Sequence, residues 1–282
     1  MAHYLLFDIG GTKMRFAVSK NLETFERAVT ISNPEDYTIA LEEISRIVRD
    51  LSKDEPFTKV AGGITGIWNK DHTVLLNSPH LSSWKGKHVR ADLEKIVGCP
   101  VCLENDSAMV GLGEAHFGGG KDFDVVVYIT VSTGVGGARI VSGLIDRSSY
   151  GFEPGHQIID FSGSVEPRFN SRGTLEGFVS GTSVLRQRGV SPKDISSQDP
   201  LWDDLAEKLA YGLYNSILHW SPDCVVLGGS MIVGNPAISI DAVNGYLKEV
   251  CEAVPCPVIK KAELRDEGGL YGALAYLKQQ QG

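Results

Sequence analysis

The chain has no apolar run approaching the roughly 20 residues a helix needs to cross a bilayer. Asp8 also interrupts the N-terminal stretch where a secretory leader would be apolar, so a cytoplasmic protein with no membrane partner is expected. Beyond the Lys260–Lys261 pair there is no run of lysines or arginines, and the net charge is −8. Nucleic-acid binding relies on clustered cations, so a nucleic-acid partner is excluded. The five cysteines are odd in number and dispersed, which argues against a disulfide framework. Cys99-Pro100-Val101-Cys102 has redox or metal-ligand spacing, but it enters a predicted strand where an odd separation sends the two thiols to opposite faces. Low-complexity tracts are missing too, and no DNA-binding helix pair stands ahead of the first strand. What remains is a length of 282 residues, near the ~250–300 at which single cores stop growing. Two lobes are the natural expectation.

The first informative stretch is Phe7-Asp8-Ile9-Gly10-Gly11-Thr12-Lys13. Tyr4–Phe7 reads as a buried strand and Met14–Val18 as the strand that returns. The glycines between them suit a tight turn with positive φ and let backbone N–H groups approach a phosphate, while Asp8 can hold magnesium through water. A plain Gly-Gly hairpin fits the same residues. Asn33-Pro34 reads as a helix cap followed by proline, opening a helix whose stripe is Tyr37, Leu41, Ile44, Val48 and Leu51. Val60–Ile64 and Thr73–Leu76 read as strands, with Asn77 in the loop that follows. Pro100–Leu103 is a strand that delivers Glu104-Asn105-Asp106 at its carboxyl end, ahead of a helix over Ser107–His116. Strands alternating with helices imply an α/β sheet, whose ligands gather at the carboxyl ends of strands.

After Gly118–Gly120, which read as a hinge, the opening pattern recurs. Val125–Ile129 is a second buried strand, Thr133-Gly134-Val135-Gly136-Gly137 a second glycine-threonine turn, and Ala138–Val141 a second returning strand. This repetition about one domain length later raises the phosphate reading of both loops above the plain hairpin. Downstream lie Glu153-Pro154-Gly155-His156, a helix opened by Asp199-Pro200, and a strand from Cys224 to Leu227. That strand feeds a third glycine turn, Gly228-Gly229, of the kind that lies flat against a ribose or adenine. Gly268-Gly269 precede a last helix.

With these residues in place the chain resembles the ROK family (repressor, open reading frame, kinase) of sugar kinases. Asp8–Lys13 is similar to the family's first phosphate loop, Thr133–Gly137 to its second, and Leu227-Gly228-Gly229 to its adenosine motif. Glu104-Asn105-Asp106 is similar to the segment carrying the catalytic aspartate, Glu153–His156 to the Glu-x-Gly-His signature, and Leu175-Glu176 to the segment supplying a further sugar-binding glutamate. The resemblance implies a two-lobed actin-like ATPase (ribonuclease H-like) α/β fold with an interlobe cleft. One lobe would comprise 1–117 plus 266–282 and the other 118–265. It implies ATP-dependent phosphorylation of a hexose, glucose first, with magnesium as cofactor. N-acetylhexosamines and fructose stay open as acceptors, and a sugar sensor or a sugar-independent ATPase as other classes.

By the same resemblance Asp106 is the general base. Asn105, Glu153, His156 and Glu176 contact the sugar, with Asn77, from its place in the loop, either a further sugar contact or a turn residue; Asp8, Gly10, Gly11, Thr12, Lys13, Thr133, Gly134, Gly136, Gly228 and Gly229 contact the nucleotide. An alternative for Asp106 is a helix cap. The other histidines, His80 among them, show no ligand spacing. Relatives form homodimers or homotetramers, so either is expected. Many relatives hold a structural zinc through the signature histidine and three cysteines soon after it. Ser162–Thr174 contains no cysteine here, and no zinc is expected.

Overall fold

In the computed structural model, residues 3–78, 80–163 and 173–280 are described. The chain divides into two compact units. The first comprises Met1–His116, Arg147–Gly151 and Asp266–Gly282; the second comprises Phe117–Asp146 and Phe152–Arg265. Compared with the division drawn from the sequence, Phe117 falls in the second unit and 147–151 in the first. Among the described residues no helix is long and apolar enough to cross a membrane.

The first unit is built on strands β1 (Tyr4–Ile9), β2 (Lys13–Ser19), β3 (Val29–Ser32) and β4 (Lys59–Ile64), a two-stranded pair β5 (Ile67–Trp68) and β6 (Leu75–Asn77), and β7 (Val101–Asn105). Its helices are α1 (Tyr37–Ser52), α2 (Val89–Val97), α3 (Asp106–Phe117) and the C-terminal helix (Gly268–Gln279). The sheet order is β3-β2-β1-β4-β7. β1 runs antiparallel to β2 and parallel to β4, and β4 runs parallel to β7. All six residues of β1 are buried, as befits a strand covered on both faces. Tyr37, Ile44 and Val48 join Phe7, Phe16 and Trp84 in one apolar core.

The helix opened by Asn33-Pro34 in the sequence reading starts later. α1 is capped by Asp36, whose Oδ1 accepts from the N–H groups of Thr38 and Ile39 at 2.8 and 3.1 Å. The strand expected over Thr73–Leu76 is β6, shifted to end on Asn77. The Gly268-Gly269 pair lies inside the first turn of the C-terminal helix rather than before it.

The second unit repeats the plan with β8 (Val125–Val131), β9 (Val135–Val141), β10 (Leu144–Ile145), β11 (Cys224–Gly228) and β12 (Val258–Lys261) in the order β10-β9-β8-β11-β12. The senses match as well: β8 is antiparallel to β9 and parallel to β11, and β11 is parallel to β12. Its helices are α4 (Leu175–Val179), α5 (Gly181–Arg188), α6 (Leu201–Trp220), α7 (Ser230–Val233) and α8 (Ile240–Val250). Asp199 Oδ1 accepts from the Leu201 N–H at 2.9 Å, so the Asp-Pro opening of α6 is as read. Leu205, Leu209, Leu213 and Ile217 carry α6 into a core of its own with Val127, Ile129, Val225 and Leu227. The duplication seen as two similar loops is therefore a duplication of sheet topology.

Helix packing in the first unit depends on one glycine of the C-terminal helix. A Cβ on Gly272 would collide with the Met109 carbonyl oxygen of α3, whereas a Cβ on the exposed Gly245 of α8 would meet nothing within 4 Å. Gly272→Ala is expected to cost about 2–4 kcal/mol of stability, since packed backbone cannot yield. Gly245→Ala is expected to add about 0.5–1 kcal/mol through helix propensity. Urea unfolding followed by circular dichroism measures both, and equal effects would refute the packing argument.

Candidate active site

Both glycine loops sit at the carboxyl end of the first strand of their unit. The β1–β2 register pairs Ile9 with Met14 and leaves Gly10–Lys13 between them, while the β8–β9 register pairs Val131 with Val135 and leaves Ser132–Gly134. The first loop is thus one residue longer than the second. Neither Gly10 nor Gly11 takes positive φ, contrary to the expectation for a tight Gly-Gly hairpin. Gly11 is needed for space, because a Cβ there would strike the side chain of His80. Gly136 and Gly137, read as part of the second turn, lie on β9 instead. A Cβ on Gly137 would come within 2.8 Å of Pro154, so the strand is bare where the Glu153–His156 segment packs on it.

Asp8 occupies the penultimate position of β1 and is 8% exposed. The hairpin register places Arg15 opposite it, and the guanidinium donates to Asp8 Oδ2 at 3.1 Å while reaching Asp266 at 3.4 Å. Gly269, in the first turn of the C-terminal helix, brings backbone so near that a Cβ would lie 2.6 Å from the Asp8 carboxyl carbon. The positive end of that helix therefore faces the acid. Even so, burial raises the Asp8 pKa to about 6, with Asp106 adding repulsion and Arg15 opposing both. A buried acid short of positive charge, with a second carboxylate near it, fits a divalent cation as a charge and as a ligand type. Among the described residues no three histidine, cysteine or acidic side chains are grouped to enclose a metal. The fit is thus to a cation that keeps most of its own water.

Asp106 is the first residue of α3. The alternative reading, that it merely caps the helix, goes to its neighbour: Asn105 Oδ1 accepts from the Ala108 N–H at 3.2 Å. Asn105 Nδ2 donates to the Gly66 carbonyl at 3.0 Å, which leaves the amide one further N–H. The Asp106 carboxylate accepts from the Ser107 N–H at 2.8 Å. Burial raises its pKa, while the Ser107 N–H, the Thr65 hydroxyl and the charge of His80 hold it down. Glu104 takes part elsewhere, with its Oε1 3.2 Å from His72 Nδ1, a bond that raises the His72 pKa. Asn77 lies on β6 opposite Ile67, and its carbonyl oxygen lies beside Gly66. Asp8, Asn77, Asn105 and Asp106 are thus gathered around the carboxyl ends of β1, β4 and β7, with Thr12 and Lys13 exposed at the turn.

The second unit assembles its own set. Glu176, in α4, accepts from the Val135 N–H at 2.8 Å, and its Oε2 lies where a Cβ on Gly134 would be 2.6 Å away. His156 Nε2 stands 3.8 Å from Glu153 Oε2, and both side chains are open to solvent. The Thr133 N–H donates to Ser132 Oγ at 2.6 Å. A cavity of about 390 Å³ is lined by Thr133, Thr182, Leu185, Lys193, Met231 and Pro236 among others. Gly228 ends β11 and Gly229 precedes α7 beside it, and Gly229 has φ 85°, with no room for a Cβ against the Val131 carbonyl. An apolar slot edged by hydroxyls and one lysine, next to a phosphate-type loop, fits a nucleoside.

Several of these residues escaped the sequence reading. Arg15 was legible in principle, since a four-residue loop after Ile9 places it opposite Asp8. Thr65, His80, Thr182 and Lys193 had no such signal, because nothing local announces that distant loops meet. The zinc expectation concerned Ser162–Thr174, of which 164–172 lie outside the described residues.

Two sheets of matching order, each with a phosphate-type hairpin between its antiparallel strands, define an α/β protein of the two-domain actin-like class. The ROK family's sequence profile matches residues 4–280, and the chain belongs to that family. It is 26% identical to a fructokinase of Lactococcus lactis subsp. cremoris, over 97% of each chain. It is 25% identical to a glucokinase of Thermotoga maritima, over 98% of this chain and 97% of that one. Among solved structures, a ROK family glucokinase from Streptomyces griseus in complex with glucose and AMPPNP superposes with a TM-score of 0.81 at 25% identity, covering 99% and 100% of the two chains.

The raised Asp8 pKa gives a signed expectation. An acid with a folded pKa near 6 and an unfolded value near 3.8 binds its proton more tightly in the folded state. Its contribution is therefore present below the unfolded pKa and is lost as pH rises through about 6. Asp8→Asn is expected to stabilise the ligand-free protein by about 2–3 kcal/mol at neutral pH and by little below about pH 4. Urea unfolding of wild type and variant across that range checks it; a gain independent of pH would contradict it.

Proposed function

We propose that this ROK family member is an ATP-dependent sugar kinase that phosphorylates a hexose, with glucose converted to glucose 6-phosphate as the leading reaction. The observation that carries the reading is Asp106, a carboxylate held at the end of β7 by Ser107 and Thr65 with its pKa raised by burial. A carboxylate whose pKa is raised by burial is a stronger base than one in water, which is what an acceptor hydroxyl requires. Asp106 takes the hydroxyl proton as the hydroxyl oxygen bonds to the γ-phosphorus; the bond to the β,γ-bridging oxygen breaks and ADP departs.

ATP, bound as its magnesium complex, supplies the activated phosphoryl group. Asp8 would hold the magnesium through water, and Gly10–Lys13, Thr133 and Gly134 are assigned to the phosphates. The cavity beside Gly228-Gly229 is assigned to the nucleoside. Asn77, Asn105, Glu153, His156 and Glu176 are assigned to sugar hydroxyls, for which amides, carboxylates and an imidazole supply mixed donors and acceptors. The absence of cysteine from Ser162–Thr174 leaves no thiolate set there, so the reading includes no structural zinc. A cytoplasmic location and a homodimer or homotetramer belong to the proposal on family resemblance alone. Fructose is the alternative acceptor, favoured by the similarity to the Lactococcus lactis fructokinase.

Asp106→Asn is expected to lower kcat about 10²–10⁴-fold, the usual worth of a general base, while sugar affinity stays within a few-fold. A coupled ADP-release assay gives turnover, and titration calorimetry gives binding. Near wild-type turnover would remove Asp106 as the base. In the same assay over a panel of hexoses, one sugar should accelerate ADP release; hydrolysis indifferent to every sugar would replace the kinase reading with that of an ATPase.

A further inference from the structure

Asn33, freed from the capping role its sequence suggested, lies against the first glycine loop. Its Nδ2 donates to the Gly10 carbonyl at 2.7 Å, and its backbone N–H donates to the Thr12 carbonyl at 2.9 Å. The Lys13 carbonyl accepts from the Gly10 N–H at 2.9 Å. Three loop carbonyls are thereby turned away and occupied. The N–H groups of Gly11 and Thr12, at the tip, find no acceptor among the described residues. A short loop with its carbonyls tied back and consecutive N–H groups left over is a receptor for an anionic oxygen.

The orientation of the Asn33 amide follows from the same contacts. Reversed, it would set Oδ1 against the Gly10 carbonyl, acceptor against acceptor at hydrogen-bond distance. As placed, Oδ1 is buried and has no hydrogen-bond partner, an arrangement that costs free energy. An apolar side chain would avoid that cost but would leave the Gly10 carbonyl without the Nδ2 donor.

We propose that Asn33 is a positioning residue for the nucleotide phosphates. It holds the Gly10 and Thr12 carbonyls back so that the Gly11 and Thr12 N–H groups face the phosphate oxygens. The inference rests on the kinase reading for the identity of the anion. It concerns nucleotide affinity, and the acceptor sugar is not involved.

Asn33→Asp preserves shape but, once ionised, sets a carboxylate oxygen against the Gly10 carbonyl and removes the donor. At about pH 7.5 this variant should raise the KM for MgATP about tenfold or more, with kcat and the sugar KM changed less than about twofold. The deficit relative to wild type at the same pH should shrink as pH falls toward about 5, because a protonated carboxyl can again donate. Asn33→Ala should raise the nucleotide KM several-fold at every pH. Direct titration of wild type and both variants with AMPPNP and magnesium separates the outcomes. If the wild type turns over a sugar and both variants bind nucleotide as it does, the Asn33 inference falls and the kinase reading stands. If the wild type turns over no sugar but nucleotide binding weakens with the expected pH signature, the kinase reading falls and Asn33 stands. Sugar KM, kcat and nucleotide KM moving together, without pH dependence, would show a merely structural role and overturn the inference.

Discussion

A carboxylate withdrawn from water at the end of β1 sets the terms for everything around it. Burying such a group costs several kcal/mol unless charge and hydrogen bonds replace its hydration. The first unit answers with the Arg15 guanidinium across the hairpin and with the amino-terminal turn of the C-terminal helix, brought close by Gly269. The compensation is incomplete, since the Asp8 pKa still rises to about 6 and Asp106 repels it. Arg15 is itself shared with Asp266. A buried carboxylate left short of positive charge is one that an added cation would stabilise in its ionised form.

The duplicated hairpins share their strand senses but differ in polarity, and the first loop is one residue longer. In the first, carbonyls are tied back by Asn33 and two tip N–H groups remain. In the second, the Val135 N–H is given to Glu176, and the Thr133 N–H to Ser132. One loop is thus shaped chiefly as a donor, while the other is fastened to the α4 segment on which Glu176 stands. Where the second hairpin needs bare backbone, it is for neighbouring protein: Gly134 makes room for the Glu176 carboxylate and Gly137 for Pro154. Gly11 makes the same kind of room for His80 in the first hairpin, and only packing shows what each glycine accommodates.

Most of the fold was legible because its signals are local. Short continuous apolar runs announced β1, β8 and β11, and the Asp-Pro opening announced α6. The readings that moved were ones with two local solutions. Asn33 and Asp36 can each cap a helix, and the loop contact decided between them. Asn105 and Asp106 both suit the start of α3; the amide took the cap and left the carboxylate with the Ser107 N–H and the Thr65 hydroxyl. Residues supplied by distant loops, such as Thr65 and His80, had no local signature at all.

By itself, then, the order of residues determined the alternation of strands and helices, the repetition of a strand–loop–strand unit, and the acidic and amide residues placed where strands end. These follow from periodicity and backbone preference, which act over a few residues. Tertiary structure alone decided what each group meets. It set Arg15 and Gly269 against Asp8, His80 against Gly11, Glu176 against the second loop, and Asn33 behind the first. Burial, charge compensation and the aim of a backbone N–H depend on neighbours far apart in sequence, so the chemistry of Asp8 and Asp106 emerges only in the folded chain.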